Sequence, residues 1–446
     1  MNKSKVAIIG GGLAGCECAW QLARCGVGAV IFEMKPERFS PAHISEGLAE
    51  LVCSNSFRSD DRETAVGQLK REMREAESLI MEAAEATRVP AGTALAVDRE
   101  RFSDYVTEVV ESHALIRLEH HEIQSLDDPA LTGFGAVVVA AGPLASDGLA
   151  ASLAEAVGNE RLYFYDAIAP IVEADSVDMG KAFWASRYHP EEKDYLNCPM
   201  TEEQYMAFHA ALLEAEKVQP KDFEKEVHFE GCLPIEAMAE RGEKTLSFGP
   251  LKPVGLEHPE TGERFYAVVQ LRPENTEKTR LNMVGFQTKL TYPEQKRVFR
   301  TIPGLENAVF ERLGSIHRNT YVQAPKVLGE NLELKGRPGV YLAGQVTGVE
   351  GYVESTACGL WLGLHLAGKL SGREVPPPPP ETALGALLLH LRTEAKNFQP
   401  SNVQFGLMPP LGKKANKRQR KGLYAARAEQ AWADWMERHA CAAAGQ

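Results

Sequence analysis

Gly10, Gly12 and Gly15 stand in the spacing G-x-G-x-x-G, and Glu33 closes the apolar run that follows. That set suits one task, holding a dinucleotide. Gly10 permits a tight turn, Gly12 lets backbone N–H groups approach a pyrophosphate, and Gly15 lets a helix pack closely on the preceding strand. A helix opening at this loop adds partial positive charge for the phosphates. Glu33 can accept hydrogen bonds from ribose hydroxyls, which favours an unphosphorylated ribose.

Sulfur is the other candidate chemistry. The chain has eight cysteines at irregular spacing. None forms a CxxC pair, which argues against thiol–disulfide exchange, and no Cys/His spacing suits zinc, so no metal site is expected. Cys16, Cys18 and Cys25 fall on one early helix and read as packing. Cys198, Cys358 and Cys441 read the same way, because a lone cysteine is most often a small buried hydrophobe. Taken alone, Cys53 and Cys232 share that reading. Cys53, however, sits beside Ser54, Asn55 and Ser56 just before Arg58, and a nearby cation lowers a thiol pKa. Cys232 lies between Glu230-Gly231 and Leu233-Pro234, a loop context.

These residues need a scaffold. KVAII at 5–9 reads as a buried parallel strand, the helix around 16–25 follows the glycines, and AVIF at 29–32 is the next strand. Together they make one βαβ unit. Residues 65–87 predict one long amphipathic helix, 98–111 another, and AVVVA at 136–140 a further buried strand. The texture changes over 181–312, where Trp, Tyr, Pro and charged residues mix with amphipathic pieces; this reads as an inserted α+β domain. GVYLA at 339–343 is again a strand, leading into a second glycine-rich stretch, 344–351, and a small-residue helix at 353–370. PPPPP at 376–380 reads as a stiff spacer before a mostly helical end.

With 446 residues, 44% hydrophobic and 25% charged, the chain supports two or three ordinary globular domains. Its net charge of -12 argues against broad, nonspecific nucleic-acid binding. A late basic cluster, Lys413, Lys414, Lys417, Arg418, Arg420, Lys421 and Arg427, runs the other way; it reads as a solvated helix face or as a phosphate contact. The start goes straight into a strand and no apolar run reaches membrane length, so a cytoplasmic protein without membrane attachment is expected.

Resemblance names the cofactor. GVYLAGQVTGVEGYVESTACGLWLG, 339–363, resembles the C-terminal flavin segment of FAD-dependent proteins of the glutathione-reductase type. In those, a strand ends beside the ribityl chain and the next helix points its N-terminus at the flavin ring. AVVVAAGP, 136–143, resembles their middle strand. The resemblance implies a doubly wound α/β FAD-binding (Rossmann) domain at 1–180 and 313–375, an inserted α+β domain at 181–312, and a polyproline spacer with a helical C-terminal segment at 376–446. It implies FAD held by Gly10, Gly12, Gly15, Glu33, Gly142, Gly344, Gln345, Gly348 and Gly351. Many relatives carry Gly-Asp where this chain has Gly344-Gln345, so the ribityl contact is not the usual carboxylate. With no second GxGxxG unit, a dedicated nicotinamide domain is not expected.

GLAELVCSNSFRS (47–59), FEGCLPIE (229–236), LRPEN (271–275), HRNT (317–320) and GQVTGVEGYVES (344–355) are similar to the TrmFO family of folate- and FAD-dependent tRNA uracil-5-methyltransferases. The likeness covers the chain to about residue 375, and NFQPSN at 397–402 also fits. The larger MnmG flavoproteins share a related GQ segment, but chain length favours TrmFO. The resemblance implies methylation of C5 of the T-loop uridine of tRNA, with 5,10-methylenetetrahydrofolate as carbon donor and FAD reduced by NAD(P)H. It makes Cys232 the candidate nucleophile at C6 and Cys53 a second thiol near the flavin. Arg272, Glu274, Asn275, Arg318 and Asn319 become candidates for positioning flavin, folate or RNA, against a reading as solvated loops and ion pairs. Competing readings are a small-molecule flavin oxidoreductase, an MnmG-like modification of the wobble uridine, and a non-enzymatic flavoprotein.

Overall fold

The computed structural model describes residues 5–158, 161–189, 191–218, 233–259, 261–395, 398–412, 416 and 419–439, with backbone alone for 161–166 and 318. Five parallel strands form the first sheet, in the order Val340–Leu342, Ala136–Val139, Lys5–Ile9, Gly28–Glu33, Ile116–His120. The central strand is apolar on both faces, and Val6, Ala7 and Ile8 are fully buried, as a strand covered by helices on both sides requires. This is the expected doubly wound α/β sheet.

The first and last thirds of the chain meet through glycine. Helix Leu13–Arg24 packs along helix Tyr352–Leu370. A Cβ at Gly359 would lie 2.1 Å from the Ala14 carbonyl oxygen, and one at Gly363 would lie 2.8 Å from that of Cys18. Only residues without a side chain let the two backbones touch, so the small-residue pattern of this helix sets how closely the two glycine-rich loops approach.

A second, six-stranded sheet is antiparallel, in the order Phe183–Trp184, Leu196–Met200, Ala267–Pro273, Arg280–Met283, Ile171–Glu173, Phe310–Arg312. It carries its own core, including Tyr205, Phe208, Phe286 and Phe299. The ribbon Arg161–Ala167 with Ile316–Val322 leads into and out of it.

The helix expected over 65–87 is two, Ala65–Glu75 and Leu79–Ala86. Glu77 takes a left-handed φ of 55°. Ser78 caps the second helix by accepting from the Met81 amide, and buried Glu17 accepts from the Ser78 hydroxyl at 2.7 Å and the Ile80 amide at 3.1 Å. The apolar period continues across the break, so periodicity alone does not reveal it. The proline run is tied down rather than extended into solvent: the Pro376 carbonyl accepts from Trp435 Nε1 at 3.0 Å, and Trp432 and Trp435 of helix Arg420–His439 are buried.

Candidate functional site

The first glycine loop and the second face one solvent-open cleft, about 1130 Å³ with the solvent at its mouth included. Gly10, Gly12, Glu33, Gly142, Gly344 and Gln345 line it, together with Lys35, His43, Glu50 and Tyr352. Gly10 adopts φ +102°, and a Cβ there would sit 2.7 Å from Ala141 Cα. Gly12 and Gly142 face open space: a Cβ at either meets nothing within 4 Å. Glu33 accepts from the Gly11 amide at 2.7 Å and the Lys35 amide at 3.0 Å, one on each oxygen. A carboxylate has about four lone-pair sites, so acceptor capacity remains for ribose hydroxyls.

Helices Leu13–Arg24 and Tyr352–Leu370 both start at this cleft, and neither has a side-chain cap. Their first-turn amides are the donors that an anionic cofactor satisfies. A dinucleotide therefore fits the residues present. Gly15, Gly348 and Gly351 do not line the cleft. A Cβ at Gly15 would lie 2.0 Å from the Gly10 carbonyl oxygen, so its absence closes the turn. Gly348, at φ +91°, lies against the Phe398 ring, and Gly351, at φ +106°, against Glu354. Gln345 Nε2 donates to Glu350 Oε2 at 2.7 Å, fixing its amide within the second loop.

Cys53 is half-buried and follows Val52, which lines the cleft. The Tyr352 hydroxyl accepts from the Cys53 amide at 2.8 Å and the Ser54 amide at 3.1 Å. Burial and then Cys53 itself push the Tyr352 phenol well above its ordinary range, so it stays neutral. Arg272 holds the rest of the loop, donating to Asn55 Oδ1 at 2.9 Å and Ser54 Oγ at 2.8 Å. Arg99 pairs with Glu274 at 2.8 Å and donates to the Leu51 carbonyl. Burial disfavours its charge, but Glu274 favours it more strongly. Arg312 stands near the same group; burial and the like charge of Arg99 lower its pKa. Burial also lowers the pKa of His43 and His317, leaving both imidazoles neutral at pH 7.

Arg272 and Glu274, expected from the motif, thus brace the Cys53 loop from the second sheet. Asn275 instead closes a turn, bonding Thr279 Oγ1 at 2.7 Å; Asn319 is buried. The Arg318 side chain and Cys232 lie outside the described residues, as do Lys413, Lys414, Lys417 and Arg418. The flank of Cys232 is anchored: the Ile235 amide donates to the Gln287 carbonyl at 2.7 Å, and buried Glu236 accepts from the Lys289 amide at 2.7 Å. Sequence reasoning missed Tyr352, Arg99, Arg312, Lys35 and Glu50. Only Tyr352 carried a signal, its place directly after Gly351 at a helix start. Cys16, Cys18, Cys198 and Cys358 are buried, and burial raises all four thiols, the last two to about 12.

The sequence profile of the family described as glucose inhibited division protein A matches residues 5–374. Methylenetetrahydrofolate–tRNA-(uracil-5-)-methyltransferase TrmFO from Oleidesulfovibrio alaskensis is 63% identical over 432 residues, covering 97% of each chain. The protein of that name from Geobacter sulfurreducens is 59% identical over 433 residues, covering 97% of this chain and 98% of its own. Among solved structures, GidA from Aquifex aeolicus has the same fold, with a TM-score of 0.69 at 18% identity over 97% of this chain and 74% of that one.

Proposed function

The chain belongs to the glucose inhibited division protein A family, among its TrmFO members, and from that premise we propose how its own residues serve the reaction. It transfers a one-carbon unit from methylenetetrahydrofolate to C5 of a uridine in tRNA. The target is the T-loop uridine, which must leave its stack to present C5. FAD, when bound and reduced by NAD(P)H, supplies the electrons that take the transferred carbon to the methyl level. The amides after Gly12 bind its pyrophosphate, Glu33 its ribose, and the 344–345 loop with Tyr352 its other end. Among the described residues no helix is long and apolar enough to cross a membrane, and we place the enzyme with its tRNA in the cytoplasm.

C5 of uracil is a weak nucleophile. Addition of the Cys232 thiolate at C6 turns the ring into an enolate, whose C5 attacks the electrophilic methylene carbon. C5 then carries both its proton and the new carbon. Cys53, as thiolate, takes that proton as the carbon–nitrogen bond to tetrahydrofolate breaks, leaving an exocyclic methylene. Reduction of that carbon by one hydride equivalent then expels the Cys232 sulfur and restores the C5–C6 double bond. Arg99 and Arg312 supply positive charge next to Cys53, the kind of surroundings in which thiolates serve. Tyr352 fixes the backbone that carries the thiol.

One observation carries this assignment: a residue that lines the cofactor cleft, Tyr352, holds the backbone of Cys53 directly. The test is incubation of unmodified tRNA with NAD(P)H and donor labelled at the methylene carbon, followed by mass spectrometry of the digest. Labelled 5-methyluridine is expected. Cys232→Ala is expected to abolish it with FAD retained, and normal turnover by that variant would refute the nucleophile.

A further inference from the structure

Away from the cleft, one loop of the second domain exposes what a core would normally hide. Phe248 is 81% exposed and Tyr188 is 64% exposed. The loop is rigid. Leu246, Leu251 and Leu256 are buried beneath it, and the Leu251 amide donates to the Leu246 carbonyl at 2.9 Å. Arg187 donates to the Val254 carbonyl at 3.0 Å and, through Nε, to Gln270 Oε1 at 2.8 Å. Tyr188 is held at φ +65° by a 2.9 Å bond from its amide to the Gly255 carbonyl. A left-handed backbone is unfavourable for an aromatic L-residue, and it persists here with the ring in solvent.

The 241–254 loop itself is positive in an acidic chain. Residues 241–254 carry three cations, Arg241, Lys244 and Lys252, against one acid, Glu243, within a chain of net charge -12. The acids on either side of the loop in sequence are paired, Glu240 with Lys217 at 2.6 Å and Glu257 with Arg264 at 3.5 Å. Lys244 and Lys252 are exposed and have no ion-pair partner among the described residues. Aromatic faces for unstacked bases beside lysines for phosphates are what single-stranded and loop RNA requires. In sequence the loop follows Cys232 with one short helix, Ile235–Glu240, between them.

We propose that the 241–254 loop, with Tyr188 beside it, is a docking surface for the tRNA substrate. Phe248 and Tyr188 stack on bases, and Lys244 and Lys252 hold phosphates. The inference rests on the tRNA reading above and adds the place on this chain where the RNA is gripped.

Its test is binding of an unmodified tRNA transcript to the full-length, FAD-loaded protein. Phe248→Ala and Tyr188→Ala are each expected to weaken binding about tenfold, the scale of one lost stacking partner, raising KM for tRNA with little change in kcat. The double variant Lys244→Glu/Lys252→Glu is expected to flatten the slope of log K against log salt by about 1 to 2. FAD content and NAD(P)H oxidation without tRNA stay at wild-type levels in all three. Wild-type tRNA affinity in all three variants overturns the proposal, and so does a change confined to self-association, which would give the surface to a second copy of the chain. Because 5-methyluridine formation by the wild type is measured separately, this surface can fail while the proposed reaction stands.

Discussion

The hydroxyl of Tyr352 accepts the backbone amide of Cys53 at 2.8 Å, across 299 residues of sequence. The pair joins the start of the second cofactor helix to the loop carrying a candidate catalytic thiol. Tyr352→Phe leaves two amides without their acceptor, a loss of about 1–3 kcal/mol for each one kept from water. We expect at least a tenfold fall in the rate of 5-methyluridine formation with FAD content unchanged. A wild-type rate would show that the thiol needs no such anchor.

Two glycines near the cofactor cleft should respond differently to the same change. Gly15→Ala puts a methyl group 2.0 Å from the Gly10 carbonyl oxygen, so the turn must open. Gly142→Ala meets no protein atom within 4 Å, so the fold loses only what its φ of +68° costs, about 1–2 kcal/mol, although the methyl points into the cleft that the cofactor would fill. The melting temperature should collapse for the first and shift modestly for the second, whose FAD content falls as the methyl takes cofactor space.

Buried Glu72 accepts from the amides of Ala383 and Leu384, tying the C-terminal segment to helix Ala65–Glu75. Burial raises its pKa from the ordinary 4.5 to about 8, against the opposing pull of those amides. The folded state therefore binds this proton more tightly than the unfolded chain. Its contribution to stability is complete below about pH 4.5 and is lost as pH rises through about 8. Melting temperature should fall across that window in the wild type and fall less in Glu72→Gln. Parallel curves would remove Glu72 from the account.

Arg58 reaches the fully buried Glu354, which also accepts the Val403 amide at 2.8 Å. Arg58→Ala strands a carboxylate in the core and should cost about 2 kcal/mol or more. Arg62→Ala removes a surface partner of Glu429 and should cost under about 1 kcal/mol. Urea midpoints would rank them, and equal midpoints would contradict the pairing seen here.

What the sequence made legible was local. The turn at Gly10–Gly15 and the acid at Glu33 follow from steric rules acting over a few residues, and the apolar strands follow from burial on both faces. The break at Glu77 was hidden because the signal that makes it, Glu17 capping Ser78 and Ile80, comes from sixty residues away. Arg99, Arg312 and Lys35 were invisible for the same reason: each acts through partners that only the folded chain brings near. Arg272 and Glu274 were flagged by motif, but their task was not. They brace Cys53 from another sheet, a relation no spacing encodes.

The central claim is that Cys53, at the rim of the FAD cleft, takes part in carbon transfer to uridine. The most direct measurement is single-turnover formation of labelled 5-methyluridine by wild type and Cys53→Ala, both loaded with FAD and supplied with labelled methylenetetrahydrofolate, NAD(P)H and unmodified tRNA. The account predicts labelled product from the wild type and none from the variant, whose flavin is still reduced by NAD(P)H. Product from the variant at the wild-type rate would contradict it.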